Sequence, residues 1–283
     1  MTASNNTPKT AIITGASAGV GKAAARQLLD LGWRVIGVGR DPARSDAAAE
    51  ELASPQFTML RADLASMTDT ARLAAQISDL APVIKVLINN AGGTRATRVV
   101  SGEGFEATFA QNHLSAFLLT TRLLPNLRAA GGARVIAVSS TGHEHCPALN
   151  WDDLQFDSGW TSGGAYCQAK LCNILFAREL ARREAANGIV SHAMHPGVVD
   201  SNFASHCEPG MQAYMNSLKD RAVTPDHAAK TLTYLATDAA PGACNGRYWH
   251  DCTELPAAAA ALDDAAALRL WEVSEAMVAN VPG

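Results

Sequence analysis

The sequence is poor in aromatic residues and carries almost no net charge. Phe, Trp and Tyr make up 6% of its 283 residues, and 23 Lys and Arg against 27 Asp and Glu leave a formal charge of −4. A balance this close to zero gives no reason to expect binding to nucleic acid or to an anionic membrane surface. The hydrophobic content of 48% excludes a disordered chain, and the length allows a large core.

Long apolar runs and cysteine motifs are also missing. No run of about 18 apolar residues is present, which predicts that there is no transmembrane helix. Residues 1–9 are polar and lack the apolar core of a signal peptide. The six cysteines form no CxxC pair and no zinc-finger spacing with the histidines. We therefore expect a soluble, cytoplasmic protein with free thiols and no membrane anchor.

Short apolar runs alternate with longer amphipathic stretches, which is typical of parallel strands that are each followed by a covering helix. The predicted strands are 10–14, 34–38, 58–61, 85–88, 134–138, 190–195 and 246–250. The predicted helices are 20–31, 43–52, 67–80, 105–127, 166–186, 211–218, 226–236 and 265–278. We expect one α/β domain over residues 1–283, of the doubly wound Rossmann type, with a mostly parallel seven-stranded sheet and helices on both faces.

The first predicted strand runs into a glycine-rich turn, TGASAGVG at residues 14–21, which opens a helix. Glycine allows the backbone to turn tightly and to approach a ligand closely. The start of a helix offers unpaired N–H groups and a positive dipole end, which suit a pyrophosphate. The position between strand and helix favours dinucleotide binding over the alternative of a purely structural turn.

The end of the second predicted strand, Val38-Gly39-Arg40-Asp41, bears on the type of dinucleotide. A carboxylate at this strand end would bind the adenosine ribose of NAD and repel a 2′-phosphate. Gly39 leaves that position without a carboxylate, and the guanidinium of Arg40 can bind a 2′-phosphate. NADP(H) is therefore favoured over NAD(H), although Asp41 could neutralise Arg40, and Arg40 could be a solvated loop charge.

Tyr166 and Lys170 are four residues apart in a predicted helix, so they lie on one helix face, one turn apart. A nearby ammonium favours the phenolate and lowers the pKa of a tyrosine from its usual value of about 10. Such a tyrosine can donate or accept a proton near neutral pH. This spacing is common by chance, so it becomes specific only together with other motifs.

The chain resembles the short-chain dehydrogenase/reductase family in five motifs that occur in the family's order. They are TGxxxGxG at 14–21, NNAG at 89–92, the serine pair at 139–140, YxxxK at 166–170 and PG at 196–197. Together they span most of the chain. The resemblance implies an NADP(H)-dependent oxidoreductase that moves hydride between the nicotinamide and a carbonyl or alcohol carbon.

The resemblance also implies roles for single residues. Tyr166 is the general acid in carbonyl reduction and the base in alcohol oxidation, Lys170 lowers its pKa and binds the nicotinamide ribose, and Asn112 holds a water of the proton relay. Ser140 binds the reacting oxygen, with Ser139 as the alternative. The implied cofactor-binding residues are Gly15, Ser17, Ala18, Gly19, Val20, Gly21, Arg40, Asp63, Leu64, Asn90, Ala91, Gly92, Tyr166, Lys170, Pro196, Gly197, Val198 and Ser201.

Two segments exceed a minimal member of the family, an insertion at 141–165 and a helical tail at 257–283, and by analogy with the family a segment near 202–223 is a substrate lid. The insertion and the sequences around YxxxK and HPG look like the branch that contains retinol dehydrogenases and the WW-domain oxidoreductase. The absence of an N-terminal membrane anchor and of a WW domain favours a substrate other than a retinoid. The apolar residues of the lid favour a hydrophobic ketone or aldehyde.

Several alternatives stay open at this point. A metal site at His143 and His145, which flank Glu144, is conceivable, but no third ligand is evident, so we expect no metal and exposed loop histidines. A non-catalytic, cofactor-sensing interaction protein is the second functional hypothesis, but the chain retains Ser140, Tyr166 and Lys170. By resemblance, the predicted helices 105–127 and 166–186 form the interface of a homodimer or homotetramer.

Overall fold

An eight-stranded sheet forms the centre of the computed structural model, which describes residues 8–201, 203 and 207–282. The strands lie in the order β3-β2-β1-β4-β5-β6-β7-β8. Their bounds are β1 Thr10–Thr14, β2 Arg34–Gly39, β3 Phe57–Arg61, β4 Val86–Asn89, β5 Arg134–Val138, β6 Val190–Met194, β7 Tyr248–His250 and β8 Thr253–Leu255. The first seven strands are parallel, and β8 pairs antiparallel with β7. The predicted doubly wound Rossmann-type fold is confirmed.

The eighth strand extends the predicted seven-stranded sheet by one antiparallel edge strand. Asp251 and Cys252 form the two-residue turn before it, and both have positive φ angles, 46° and 59°. Two-residue hairpins favour this conformation because its twist matches that of the strands. The usual sequence signal for such a turn is Asn-Gly or Asp-Gly, so the Asp-Cys pair gave no indication of a hairpin.

Helices cover both faces of the sheet. Their bounds are α1 Gly19–Asp30, α2 Pro42–Leu52, α3 Met67–Leu80, α4 Ala107–Phe109, α5 Ser115–Arg128, α6 Ser162–Glu184, α7 Pro209–Ser217, α8 Pro225–Thr237, α9 Ala239–Gly242 and α10 Asp264–Val278. On one face, α1 and α8 bury residues such as Leu28 and Leu232 against β1 and β4. On the other face, α3, α5, α6 and α10 form a larger core around Phe117 and Leu175.

Two helices differ locally from their predicted form. Helix α6 begins at Ser162 rather than at residue 166, because the Thr161 hydroxyl accepts a hydrogen bond from Gly164 N–H (3.0 Å) and caps the helix. The glycine pair at 163–164 has low helix propensity, which is why the sequence predicted a later start. Between α4 and α5, residues Ala110–Leu114 form a π-helical turn.

The C-terminal helix α10 is part of the core. Its Trp271 packs edge-on against Phe117 of α5, with ring centroids 4.9 Å apart, and stacks on Phe176 of α6 at 6.0 Å. His113 is fully buried beside them, and its Nε2 is hydrogen-bonded to the Ser274 hydroxyl of α10 at 2.8 Å. Burial lowers the pKa of His113 to about 3, so the ring stays neutral. None of the helices in the described ranges combines the length and the apolar character that crossing a membrane requires.

Replacement of Trp271 tests whether the tail contributes to the stability of the whole domain. We expect Trp271→Ala to lower the free energy of unfolding by about 3–5 kcal/mol, because it opens a cavity between α5, α6 and α10. The measurement is urea unfolding followed by far-UV circular dichroism. Leu268→Ala on the same helix is the control, since Leu268 is 38% exposed. Equal losses for the two variants would contradict a core role for Trp271.

Candidate active site

The carboxyl ends of the parallel strands open into a cavity of about 960 Å³. Parallel α/β sheets bind ligands at this edge, next to the point where the strand order reverses, here between β1 and β4. The cavity is lined by every predicted catalytic and cofactor-binding residue except Asn112: Gly15, Ser17, Ala18, Gly19, Val20, Gly21, Arg40, Asp63, Leu64, Asn90, Ala91, Gly92, Ser140, Tyr166, Lys170, Pro196, Gly197, Val198 and Ser201.

The glycine-rich turn leaves no room for side chains where it passes β4. Gly15 has a φ of 71°, and a Cβ there would lie 2.8 Å from Asn90 Nδ2. A Cβ on Gly21 would lie 2.4 Å from the Gly15 carbonyl oxygen. Helix α1 starts with Ala18 as its N-cap, which has no side-chain hydrogen bond, and its first turn has no acidic residue. Its first N–H groups are therefore available to an anion such as a pyrophosphate.

Hydrogen bonds between Thr14 and Asn90 connect the ends of β1 and β4. The Thr14 hydroxyl oxygen accepts the N–H groups of Asn90 (3.0 Å) and Ala91 (2.9 Å). In the opposite direction, Asn90 Nδ2 donates to the Thr14 carbonyl oxygen at 2.8 Å. Two of the motifs, TGxxxGxG and NNAG, thus fix each other's backbone, and both line the same wall of the cavity.

The end of β2 presents two guanidinium groups to the cavity, Arg40 and Arg44. Asp41 is the N-cap of α2, where its carboxylate accepts the Arg44 N–H at 2.8 Å. Asp41 is therefore held by the helix rather than by Arg40, whose carboxylate neighbour is Asp63, 4.0 Å away. A Cβ on Gly39 would lie 2.6 Å from the Ser45 hydroxyl oxygen, so a larger residue does not fit there. Arg44 was not among the predicted cofactor-binding residues.

Ser140, Tyr166 and Lys170 come together where β5 and α6 meet. Ser140 and Tyr166 both line the cavity here, and the Ser140 side chain is near enough to the Tyr166 phenol to lower its pKa in part. The Lys170 ammonium lies 5.4 Å from the centre of the Tyr166 ring and donates to the Val138 carbonyl oxygen at 3.1 Å. Ser139 points away from this group, because its hydroxyl donates to the Lys170 carbonyl oxygen at 2.6 Å. The geometry thus favours Ser140 over Ser139 as the serine that can reach a reacting oxygen.

Burial shifts the pKa values of both Tyr166 and Lys170. It raises the pKa of Tyr166 to about 12, although the Ser140 side chain acts in the opposite direction. Burial also lowers the pKa of Lys170 to about 8. The net shift of the Tyr166 pKa is therefore upward, opposite to the lowering predicted from Lys170 alone, because loss of water penalises the phenolate more than neighbouring groups favour it. Tyr166 is therefore a protonated donor at neutral pH.

Asn112 lies behind the cavity wall, in the π-helical turn. Its Nδ2 donates to the carbonyl oxygens of Gly93 and Thr108, both at 2.8 Å, and its Oδ1 accepts the Gly93 N–H at 3.1 Å. A Cβ on Gly92 would lie 2.4 Å from this Oδ1 and 3.0 Å from Lys170 Nζ, which explains the glycine of NNAG. The amide oxygen has a second lone pair, so a role in a water relay stays a prediction.

His143, in the predicted insertion, is buried rather than exposed. It was expected to be exposed, but it is fully buried, because the 3₁₀ turn Thr141–His145 directs its ring inward. Its Nε2 accepts the Ala258 N–H at 3.2 Å, so the proton resides on Nδ1, which donates to the Ser140 carbonyl oxygen at 2.7 Å. His145 is exposed, as expected. Within the described residues, no group of three His, Cys, Asp or Glu side chains could hold a metal ion.

The PG motif, Pro196 and Gly197, follows β6 and also lines the cavity. Gly197 has a φ of 78°, and a Cβ there would lie 3.1 Å from the His250 ring. Its N–H donates to His195 Nδ1 at 3.2 Å. The rings of His195 and His250 stack with centroids 4.0 Å apart. Histidines of β6 and β7 thus support the turn that Pro196, Gly197 and Val198 present to the cavity.

The segment predicted to be a lid contributes apolar side chains to the cavity wall. The Phe203 ring lies 5.2 Å from the Tyr166 ring, and helix α7 and the residue after it add Met211, Tyr214, Met215 and Leu218 to the cavity wall. The two ends of this segment are joined, because Val223 N–H donates to the Val198 carbonyl oxygen at 2.8 Å. Residue 202 and residues 204–206, which belong to the predicted lid, lie outside the described residues.

Other lining residues were not anticipated. Cys167, which follows Tyr166 in α6, also lines the cavity. Arg95 and Gln111 also line it and are hydrogen-bonded to each other at 3.3 Å. No local sequence signal identifies them, since the loop after NNAG has no motif of its own.

Known proteins resemble this chain over most of its length. The model of the short chain dehydrogenase family matches residues 9–212. Retinol dehydrogenase 14 of Mus musculus is 36% identical, in an alignment that covers 95% of this chain and 86% of that protein. Retinol dehydrogenase 12 of Homo sapiens is 34% identical, with 94% of this chain and 85% of that protein covered.

Solved structures also resemble this chain over most of its length. The crystal structure of an uncharacterized protein from Mycobacterium Paratuberculosis matches with a TM-score of 0.78 and 30% identity, over 98% of this chain and 96% of that one. An oxidoreductase of the short chain dehydrogenase/reductase family from Burkholderia thailandensis matches with a TM-score of 0.65 and 25% identity, over 86% and 90% of the two chains. With the family's five motifs gathered around one cavity, these matches mean that the chain belongs to the short-chain dehydrogenase/reductase family of nicotinamide-dependent oxidoreductases.

Proposed function

We propose that this protein is an NADP(H)-dependent oxidoreductase that interconverts an alcohol and a hydrophobic ketone or aldehyde. The observation that carries the proposal is that Ser140, Tyr166 and Lys170 line one cavity, with the Lys170 ammonium 5.4 Å from the centre of the Tyr166 ring, and that Arg40 and Arg44 line the same cavity. A cofactor-sensing protein without catalysis has no need for this group. Its presence in one cavity favours the enzyme over that alternative.

The cavity fits a nicotinamide dinucleotide. The uncapped start of α1 suits a pyrophosphate, and at Gly15, Gly21 and Gly92 the wall comes so close that a Cβ would clash. In this proposal Lys170 binds the nicotinamide ribose, and Pro196, Gly197, Val198 and Ser201 contact the nicotinamide, as the resemblance implies; all five line the cavity. The bound cofactor supplies the hydride in reduction and accepts it in oxidation.

The side chains of the protein handle the proton and the developing charge. In reduction, the Ser140 hydroxyl donates a hydrogen bond to the carbonyl oxygen and polarises it. Tyr166, with a pKa of about 12, keeps its proton at neutral pH and donates it to the same oxygen as negative charge develops there. The Lys170 ammonium then stabilises the resulting phenolate. Phe203 and the apolar residues of α7 exclude water from this step.

The preference for NADP(H) rests on the charges at the end of β2. The Arg40 side chain is 52% exposed, and its carboxylate neighbour Asp63 is 4.0 Å away, too far for a direct hydrogen bond. Asp41 is engaged at the start of α2 and does not compete with a ligand for Arg40. Two guanidinium groups at one end of the cavity favour the additional phosphate of NADP(H) over the plain ribose of NAD(H).

We also propose a homodimer or homotetramer and a cytoplasmic location. The former rests on the resemblance alone. The latter is supported by the state of the cysteines, since all six are unpaired. Free thiols are typical of a reducing compartment.

Tyr166→Phe tests the catalytic role of the phenol. Because it removes the proton donor and keeps the ring, we expect kcat for aldehyde reduction to fall by about 10²–10⁴-fold. The dissociation constant for NADPH, measured by fluorescence titration, should stay within about twofold, because the ring still fills its place. Turnover at the rate of the unmodified enzyme would contradict the mechanism.

Arg40→Ala tests cofactor choice. We expect the KM for NADPH to rise by about tenfold or more, because the variant loses a charge-assisted hydrogen bond to the 2′-phosphate. The KM for NADH should change little. Steady-state kinetics with both cofactors measure this. Arg61→Ala is the matched control, because Arg61 is exposed and does not line the cavity. Equal effects on the two cofactors would reject the role of Arg40.

The pH profile of reduction tests Lys170. Its lowered pKa means that the ammonium is present below pH 8 and is lost as the pH rises through about 8. We therefore expect kcat/KM for aldehyde reduction, at saturating NADPH, to fall above this pH. In Lys170→Arg the charge persists, so the remaining activity should not fall in the same range. A flat profile of the unmodified enzyme between about pH 7 and about pH 9.5 would contradict this role.

A further inference from the structure

We propose that Arg95 binds a carboxylate of the substrate, so that the preferred substrate is an apolar aldehyde or ketone that also carries an acid group. This proposal rests on the proposed reductase function and names its substrate class. In the reaction, the carbonyl carbon accepts hydride from the nicotinamide and the carbonyl oxygen accepts the Tyr166 proton. The carboxylate is unchanged and serves only for recognition.

Arg95 lies in the loop that follows NNAG, on the wall of the catalytic cavity. This loop is held against the catalytic helix, because the Thr94 and Ser162 hydroxyls are hydrogen-bonded at 2.7 Å and both residues are buried. Gly93, on the other side of Thr94, is held by Asn112. The backbone of Arg95 is therefore fixed relative to α6, the helix that carries Tyr166.

The guanidinium of Arg95 has an incomplete set of partners. One NH₂ group donates to the neutral amide oxygen of Gln111 at 3.3 Å, and the Nε–H is buried with no hydrogen-bond partner within the described residues. The side chain is half-buried on the cavity wall and has no charged partner there within the described residues, so it is available to an acid group that enters the cavity. Arg98, three residues further along, differs: it donates to the Phe156 carbonyl oxygen at 2.8 Å and pairs with Asp157 at 2.5 Å.

The acidic residues near this loop are engaged elsewhere. Glu103 accepts the Thr68 N–H and the Ser66 hydroxyl, both at 2.9 Å, at the start of α3. Glu106 accepts the Phe109 N–H at 2.7 Å and the Trp160 indole N–H at 3.2 Å. The part of the chain outside the described ranges contains no Asp or Glu. No side-chain carboxylate of the described residues therefore pairs with the Arg95 guanidinium.

Part of the cavity wall is apolar. Met211, Tyr214 and Met215 of α7 and the ring of Phe203 line it. Asp200 is the carboxylate that lines this end of the cavity, but it forms no ion pair with Arg95. A planar guanidinium presents parallel N–H groups that match the two oxygens of a carboxylate. An apolar wall with one such group fits a ligand with an apolar body and one acid group.

The experiment compares aldehydes that differ only in charge: para-carboxybenzaldehyde and azelaic semialdehyde, each against its methyl ester. We expect the unmodified enzyme with NADPH to show a kcat/KM about tenfold or more higher for the acid in at least one pair. In Arg95→Gln the acid should lose this advantage while the ester is reduced as before, and Arg95→Lys should retain part of it. Lys230→Gln, which removes an equal charge outside the cavity, should behave as the unmodified enzyme.

Two results would overturn the proposal: an ester reduced as well as its acid in both pairs, or an equal loss for acid and ester in Arg95→Gln with an unchanged circular dichroism spectrum. If no aldehyde is reduced, the proposed reductase function fails, and calorimetry decides about Arg95 separately. Binding of para-carboxybenzaldehyde to the protein with NADPH, lost in Arg95→Gln, would support acid recognition. Absence of such binding to the unmodified protein would overturn it.

Discussion

The hydrogen bonds between Thr14 and Asn90 join the carboxyl ends of β1 and β4, the two strands between which the order of the sheet reverses. Every other part of the cavity is arranged around this junction. It brings the β4 backbone so close to the glycine-rich turn that only glycine fits at positions 15 and 21. The same contact orients the start of α1 towards the cavity. The anion-binding end of the site thus follows from one pair of strand ends.

A second set of buried bonds fixes the catalytic end. The Val138 carbonyl oxygen at the end of β5 accepts both Lys170 Nζ and Asn173 Nδ2, while the Ser139 hydroxyl donates back to the Lys170 carbonyl oxygen. These reciprocal bonds set the distance between the strand that carries Ser140 and the helix that carries Tyr166. The same burial that makes these bonds strong lowers the pKa of Lys170 and raises that of Tyr166.

Much of this architecture could be predicted from the sequence, because its signals are local. The apolar runs gave seven strands, and the motifs at strand ends named nearly all of the lining residues, since parallel strands bring their carboxyl ends to one edge. What could not be predicted depends on contacts between distant residues. The burial of His143 depends on Ala258, and the site position of Arg95 depends on Ser162. The upward shift of the Tyr166 pKa could not be predicted, because the spacing of residues along a helix does not show how far their side chains are buried away from water.

The bond from Ala258 N–H to His143 has a consequence for how the protein is made. The ring of His143 holds the backbone of Ser140 on its other side, so the loop of the reacting serine is supported by a residue close to the end of the chain. Trp271 anchors the same end between α5 and α6. During synthesis the glycine-rich turn and Tyr166 leave the ribosome long before these last contacts exist. The cofactor half of the protein can therefore be shaped earlier in synthesis than the catalytic half, which needs the later contacts of Ala258 and Trp271.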